Sequence, residues 1–177
     1  MATHLIIDGY NLLALIGGGG GRAPLQSEMA RESLLRDLAV YRQRKGHAVT
    51  VVFDGWQQGQ PIEGREHRAG VQVIYSKRGE RADQVIQRMA REYGADCAVV
   101  SSDHEIVNHA RAHGAFVMGA QEFSGKIRRP ISPVGMLVNK ELDIGEDLLP
   151  RRSPEKKGNP RKLPKAQRQR SKQLKRF

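Results

Sequence analysis

The sequence predicts a three-layer α/β domain with a mainly parallel central sheet of about five strands. Two observations carry this. Short apolar or β-branched runs, at residues 5–7, 48–53, 71–75, 97–101 and 115–118, alternate with segments whose apolar residues recur at helical spacing. The first two runs are apolar or β-branched throughout, as expected of strands covered on both faces.

The first run opens LIIDGYNLL and stops at Asp8. Asp8 would sit at the carboxyl end of a buried strand, where open α/β sheets place their ligands. The five glycines Gly17 to Gly21 fit neither a helix nor a stable strand. No Lys-Ser or Lys-Thr follows, which excludes a phosphate-cradling P-loop and leaves a mobile loop beside the site. From Ser27 to Lys45, Met29, Leu34, Leu38 and Tyr41 mark a crossover helix, stopped by Gly46.

AVTVVF, residues 48–53, is the second strand, and it too ends in an acid, Asp54. The polar stretch from Trp56 to Gly70 shows no period and is expected to be a long loop. Its Trp56 could stack a nucleobase, although packing against a strand end is the commoner use of such a residue. Val71 to Tyr75 is the third strand, and Lys77, Arg78 and Arg81 follow it. A helix then opens at Ala82 and Asp83, with Val85, Ile86, Met89, Ala90 and Tyr93 on one face and Gly94 at its end. Alone, Asp83 needs no function, because an acid in a first helical turn complements the helix dipole by ~0.3–1 kcal/mol.

The fourth strand closes in Ser101, Ser102 and Asp103, with a helix to about His113 and a fifth short strand at 115–118. Residues 120–126 suggest a last helical turn or two. Cys97 lies inside the apolar run CAVV and is expected to fill the core; a lone cysteine forms no internal disulfide.

Charge divides the chain. Of 30 Lys and Arg, 12 fall in residues 151–177 beside a single acid, Glu155, so the other 150 residues hold 18 of each sign and the whole +11 resides in the tail. We therefore expect a domain over 1–127, a proline-containing strap packed on it over 128–150, and a basic tail over 151–177. Almost no large apolar residue offsets the entropy of ordering that tail, which predicts disorder and an arm that binds RNA with little sequence preference. The apolar runs are too short to span a membrane, and the start carries neither a basic leader nor a cleavage site, which predicts a cytoplasmic protein.

Three of five strands end in aspartate and a fourth aspartate begins a helix. In a parallel sheet these points share one edge, where mutually repelling carboxylates are relieved by a divalent cation. Oxygen-only ligands favour Mg²⁺ or Mn²⁺ over zinc. HEIVNH, residues 104–109, falls one residue long of a zinc-protease motif, putting its imidazoles about 140° apart round the helix. His109 and His113 are four apart but lack a third ligand. A cation among the aspartates would activate water toward phosphorus, as in metal-dependent nucleases. Lys77, Arg78 and Arg81 would hold phosphates. A phosphatase of the aspartate type fits poorly, because Asp8 is followed by Gly-Tyr-Asn and not by a second aspartate two residues on.

In order and interval, Asp8-Gly9-Tyr10-Asn11, Val52-Phe53-Asp54-Gly55, Ala82-Asp83 with Ile86, Ser101-Ser102-Asp103 and Gly114-Ala115 resemble the YacP-like NYN domains, a branch of the PIN-like nucleases. The resemblance covers about residues 3–127 and leaves the tail outside. It implies a PIN-like fold, a divalent metal and ribonuclease activity, with acidic positions carried by Asp8, Asp54, Asp83 and Asp103. Asn11 matches the family's asparagine and is expected to bond a ligand or substrate; Ser101 stands where threonine is common, and Ser102 follows it in the same motif, both on the expected substrate side. The leading expectation is an endoribonuclease acting on structured or ribosome-associated RNA. The alternative is a non-catalytic RNA-binding or ribosome-associated adaptor.

Overall fold

A computed structural model describes residues 3–16, 28–55, 61–127 and 165–177. The expected loop at Gly17 to Gly21, Trp56 and the strap at 128–150 lie outside the described residues. The chain divides into two units, Met1–Arg129 with Phe177, and Pro130–Arg176.

In the first unit, β1 (His4–Asp8), β2 (Ala48–Phe53), β4 (Val71–Tyr75), β5 (Cys97–Val100) and β6 (Phe116–Met118) pair in parallel, and β3 (Gly64–Arg68) adds an antiparallel edge. The order across the sheet is β3-β4-β2-β1-β5-β6. Helices α1 (Gly9–Ile16), α2 (Glu28–Lys45), α3 (Ala82–Tyr93), α4 (His104–Ala112) and α5 (Ala120–Ile127) complete the α/β layers.

Side chains alternate between the faces of a strand, and this decides where the site lies. Ile6, Val52, Ile74 and Val99 form a buried cluster with Val85, Ile86 and Met89 of α3 and Ile106 and Ala110 of α4. Asp8 is two residues past Ile6, so it shares that face. Leu5, Ile7, Val51, Phe53 and Val73 point the other way and are buried, on the side where α1, α2 and α5 contact one another.

Four expectations are corrected. The loop expected from 56 to 70 contains β3, whose GREHR sequence lacks alternation because an edge strand with its side chains largely in water needs none. A two-residue turn joins it to β4 with Ala69 and Gly70 at φ 51° and 81°, the hand that hairpin turns require. Helix α1 adds an element that no periodicity announces; it starts directly after Asp8 and buries Leu12 and Leu13. Met29, expected on the buried face of α2, is 75% exposed; Leu34, Leu35, Leu38 and Tyr41 form that face. The end of the tail also differs from the expected disorder. Residues Lys165–Leu174 form α6, built of strong helix formers after Pro164, and Phe177 is buried in the first unit. Among the described residues no helix is long and apolar enough to cross a membrane.

Candidate active site at the carboxyl edge of the sheet

Each of the four aspartates follows a strand or opens a helix at the same edge. Asp8 ends β1 opposite Val52 of β2 and is buried. Asp54 follows β2, Asp83 lies in the first turn of α3, and Asp103 caps α4. Their fields overlap. Burial pushes the Asp8 carboxyl up to about 6, the Asn11 N–H and Ser101 hydroxyl pull it back, and the charges of Asp83 and Asp103 raise it further. Asp83 is raised chiefly by burial; Arg81 opposes the shift, while Asp103, Glu105 and Asp54 add to it. Acids from four segments therefore repel one another across one edge, and Glu105 of α4 joins them.

A network fixes their orientation. Asp8 Oδ1 accepts the Asn11 N–H at 3.2 Å, and Asp8 Oδ2 accepts Ser101 Oγ–H at 3.2 Å. Ser101 Oγ in turn accepts the Asp103 N–H at 3.1 Å. Asn11 Oδ1 receives the Ser102 N–H at 3.2 Å, and Ser102 Oγ the Ala120 N–H at 3.3 Å. Asn11, Ser101 and Ser102 thus position the acids and the chain around them. Asp54 Oδ1 accepts Ser76 Oγ–H at 3.0 Å, and the same Ser76 oxygen accepts the Gly55 N–H at 3.0 Å. Sequence reasoning missed Ser76 and Glu105. Ser76 meets Asp54 only because β4 pairs with β2, and in the sequence Glu105 stands out only as part of HEIVNH.

Asp103 Oδ1 accepts the N–H groups of Glu105 and Ile106 at 2.7 and 3.4 Å, an ordinary helix cap. Asp103 Oδ2 and Asp54 Oδ2 accept no hydrogen bond among the described residues. The donor set is oxygen only and self-repelling, which suits a hard divalent cation. Among the described residues, however, no three His, Cys, Asp or Glu side chains stand within joint ligating reach.

Lys77 and Arg78 are exposed on the turn into α3. Arg81 is engaged differently, with Nη2 2.9 Å from Asp83 Oδ2, so it holds a candidate ligand. His109 and His113 stack at 4.4 Å toward the carboxyl end of α4, whose amino end Asp103 caps. Cys97 is buried, its thiol pushed up to about 11 by burial, in keeping with a core residue.

The profile of the YacP-like NYN domain family matches residues 5–175, so the match runs beyond residue 127 and takes in most of the tail. The uncharacterized protein YacP of Bacillus subtilis (strain 168) is 33% identical over 90 residues, 49% of this chain and 51% of that protein. The match spans about half the length of that curated relative. Two crystal structures of Rae1 (YacP) from Bacillus subtilis are similar in fold. One, a mutant, gives a TM-score of 0.56 at 28% identity, covering 71% of this chain and 74% of that one. The other gives 0.55 at 26% identity, covering 72% and 74%. With a mostly parallel sheet of PIN-like type and a profile match along nearly its whole length, this chain belongs to the YacP-like NYN domain family, whose fold is nuclease-like.

Proposed function

We propose that the protein is a divalent-metal-dependent endoribonuclease that hydrolyses RNA phosphodiester bonds at the carboxyl edge of its sheet. One observation carries this reading: aspartates from four separate segments share one electrostatic field there, with Asp8 buried and bonded at both carboxylate oxygens. Without a counter-charge such a cluster costs stability, which favours a bound cation.

In this reading Asp8, Asp54, Asp83 and Asp103 hold Mg²⁺ or Mn²⁺. When bound, the ion supplies Lewis acidity that lowers the pKa of water and offsets charge growing on the phosphoryl oxygens. The chain does the rest. Ser101 and the Asn11 N–H keep Asp8 aimed, and Ser76 does the same for Asp54. Arg81 screens Asp83 until the site is loaded. Lys77 and Arg78 attract phosphates from the rim, and the tail's 12 cations add affinity that does not depend on sequence. Structured or ribosome-associated RNA in the cytoplasm is the proposed target.

The second reading, a non-catalytic RNA-binding or ribosome-associated adaptor, is favoured by one observation, that among the described residues no three acids stand within joint ligating reach. Incubating purified protein with structured RNA and Mn²⁺ separates the two. Cleavage that stops with chelator and in Asp8→Asn and Asp103→Asn supports the enzyme. Tight RNA binding with no cleavage, or cleavage that those substitutions leave unchanged, gives the ground to the adaptor.

A further inference from the structure

The sheet edge that carries the acids carries a second cluster on its opposite face. Phe53 directly precedes Asp54, Tyr75 directly precedes Ser76, and Tyr10 lies two residues after Asp8. Alternation sends Asp8, Asp54 and Ser76 toward α3 and sends Phe53 and Tyr75 toward α2. There Phe53 is buried between two half-buried tyrosines. Tyr10 meets it edge-on at 5.3 Å, and Tyr75 stacks on it at 5.9 Å.

Arg31 of α2 reaches into this cluster. Its Nη1 lies 3.5 Å from the Tyr10 hydroxyl, and its Cζ lies 6.0 Å from the centroid of the Tyr75 ring, over that ring. The neighbouring Arg68 is occupied by Glu32 and Glu66. Arg31 has no carboxylate partner among the described residues. The difference has a consequence. An ion pair would both place a guanidinium and neutralise it, whereas a hydroxyl and a ring face place it and leave its full charge for a ligand. A planar guanidinium held this way presents paired N–H donors that match two oxygens of one phosphate.

We propose that Arg31, aimed by Tyr10 and Tyr75, binds a backbone phosphate of the RNA strand adjacent to the phosphate that is cut. The strand crosses the carboxyl edge of the sheet, its scissile phosphate over the aspartates and its neighbour on the α2 side. This subsite rests on the hydrolytic reading above, and it is distinct from Lys77 and Arg78, which stand on the α3 side.

The test uses the full chain and a fluorescent RNA hairpin whose single-stranded loop carries the cleavage position, with cleavage and anisotropy both measured. Arg31→Ala is expected to raise KM about tenfold with kcat within about twofold, and to lower the slope of log affinity against log salt by about 0.7, the value of one neutralised phosphate on a single strand. Arg31→Lys restores the slope but only part of the affinity, because an ammonium cannot make the paired bonds. A single uncharged methylphosphonate next to the cleavage position weakens wild-type binding to the level of Arg31→Ala and leaves that variant unaffected. Tyr10→Phe, which keeps the ring and removes the hydroxyl, gives an intermediate KM and serves if Arg31→Ala fails to fold. A wild type that cleaves RNA, with KM and salt slope unchanged in Arg31→Ala and Tyr10→Phe, overturns the subsite and leaves the hydrolytic reading standing. A wild type that neither binds nor cleaves RNA overturns both.

Discussion

Ser101 joins two candidate ligands through one hydroxyl, donating to Asp8 Oδ2 at 3.2 Å and accepting the Asp103 N–H at 3.1 Å. The end of β1 and the cap of α4 are thereby set at a fixed spacing. Ser101→Ala leaves a buried carboxylate oxygen short of a donor and frees the first residue of the cap, a loss of ~1–3 kcal/mol. Ser101→Thr keeps the hydroxyl. We expect the alanine variant to lose about tenfold in RNA cleavage and to need more Mn²⁺, and the threonine variant to retain most of both. Metal titrations of cleavage rate check this, and equal titration curves for wild type and Ser101→Ala would remove Ser101 from the site.

Asp8 offers a test in the metal-free protein. Its folded pKa of about 6 lies above the ordinary 3.8, so the folded state prefers the protonated form. That preference stabilises the fold fully below about pH 4 and is lost as pH rises through 6. At pH 7.5 in chelator Asp8 is ionised and destabilising. Asp8→Asn, neutral at every pH, is expected to raise the melting temperature there by about 3–8 °C, corresponding to ~1–3 kcal/mol. The gain disappears near pH 4. Mn²⁺ raises the wild-type melting temperature at pH 7.5 and leaves the variant where it was. A variant less stable than wild type in chelator at pH 7.5 would show that Asp8 serves the fold and not a cation.

Much of this is legible in the sequence, for local reasons. The strands stand out because both faces are covered, and three helices stop where glycines take left-handed φ, at Gly46, Gly94 and Gly114 with 71°, 51° and 83°. The four aspartates are visible because a parallel sheet brings strand ends to one edge. The rest needs information that does not lie along the chain. β3 is an edge strand without an apolar face, and α1 follows β1 with no linker and no helical period to mark it. Ser76 and Arg31 acquire their places only once β4 stands beside β2 and α2 beside Tyr75. Arg81 reads as a phosphate ligand because a nearby cation says nothing of which anion it meets, and in the fold that anion is Asp83.

Gly9 separates the acid face from the aromatic face. A Cβ there would lie 2.9 Å from Phe53 Cζ and closer still to Cε1 and Cδ1. Phe53 is fully buried, so its ring has no open side to move toward. Gly9→Ala is expected to destabilise by ~1–3 kcal/mol through overpacking and to displace the start of α1, moving Tyr10 off Phe53 and the Asn11 N–H off Asp8. Pairing it with Phe53→Leu returns part of the stability. Chemical denaturation of the two variants measures this, and an additive double variant would show that the Gly9–Phe53 approach is not the cause.

Deleting the tail would confuse the packing of Phe177 with the RNA binding proposed for the tail's cations. Phe177 is buried against Phe116 at 5.4 Å and His47 at 5.1 Å, and its carbonyl accepts the Tyr41 hydroxyl at 2.8 Å. Phe177→Ala is therefore expected to cost ~2–4 kcal/mol of stability without altering the salt dependence of RNA binding. Replacing Arg151, Arg152, Lys156, Lys157, Arg161 and Lys162 with glutamine removes six cations and touches none of those ring contacts. It is expected to leave the melting temperature within about 1 °C, while the salt slope falls by about 0.7 for each phosphate that the tail no longer neutralises. An unchanged slope in the glutamine variant would mean that the tail's charge plays no part in holding RNA.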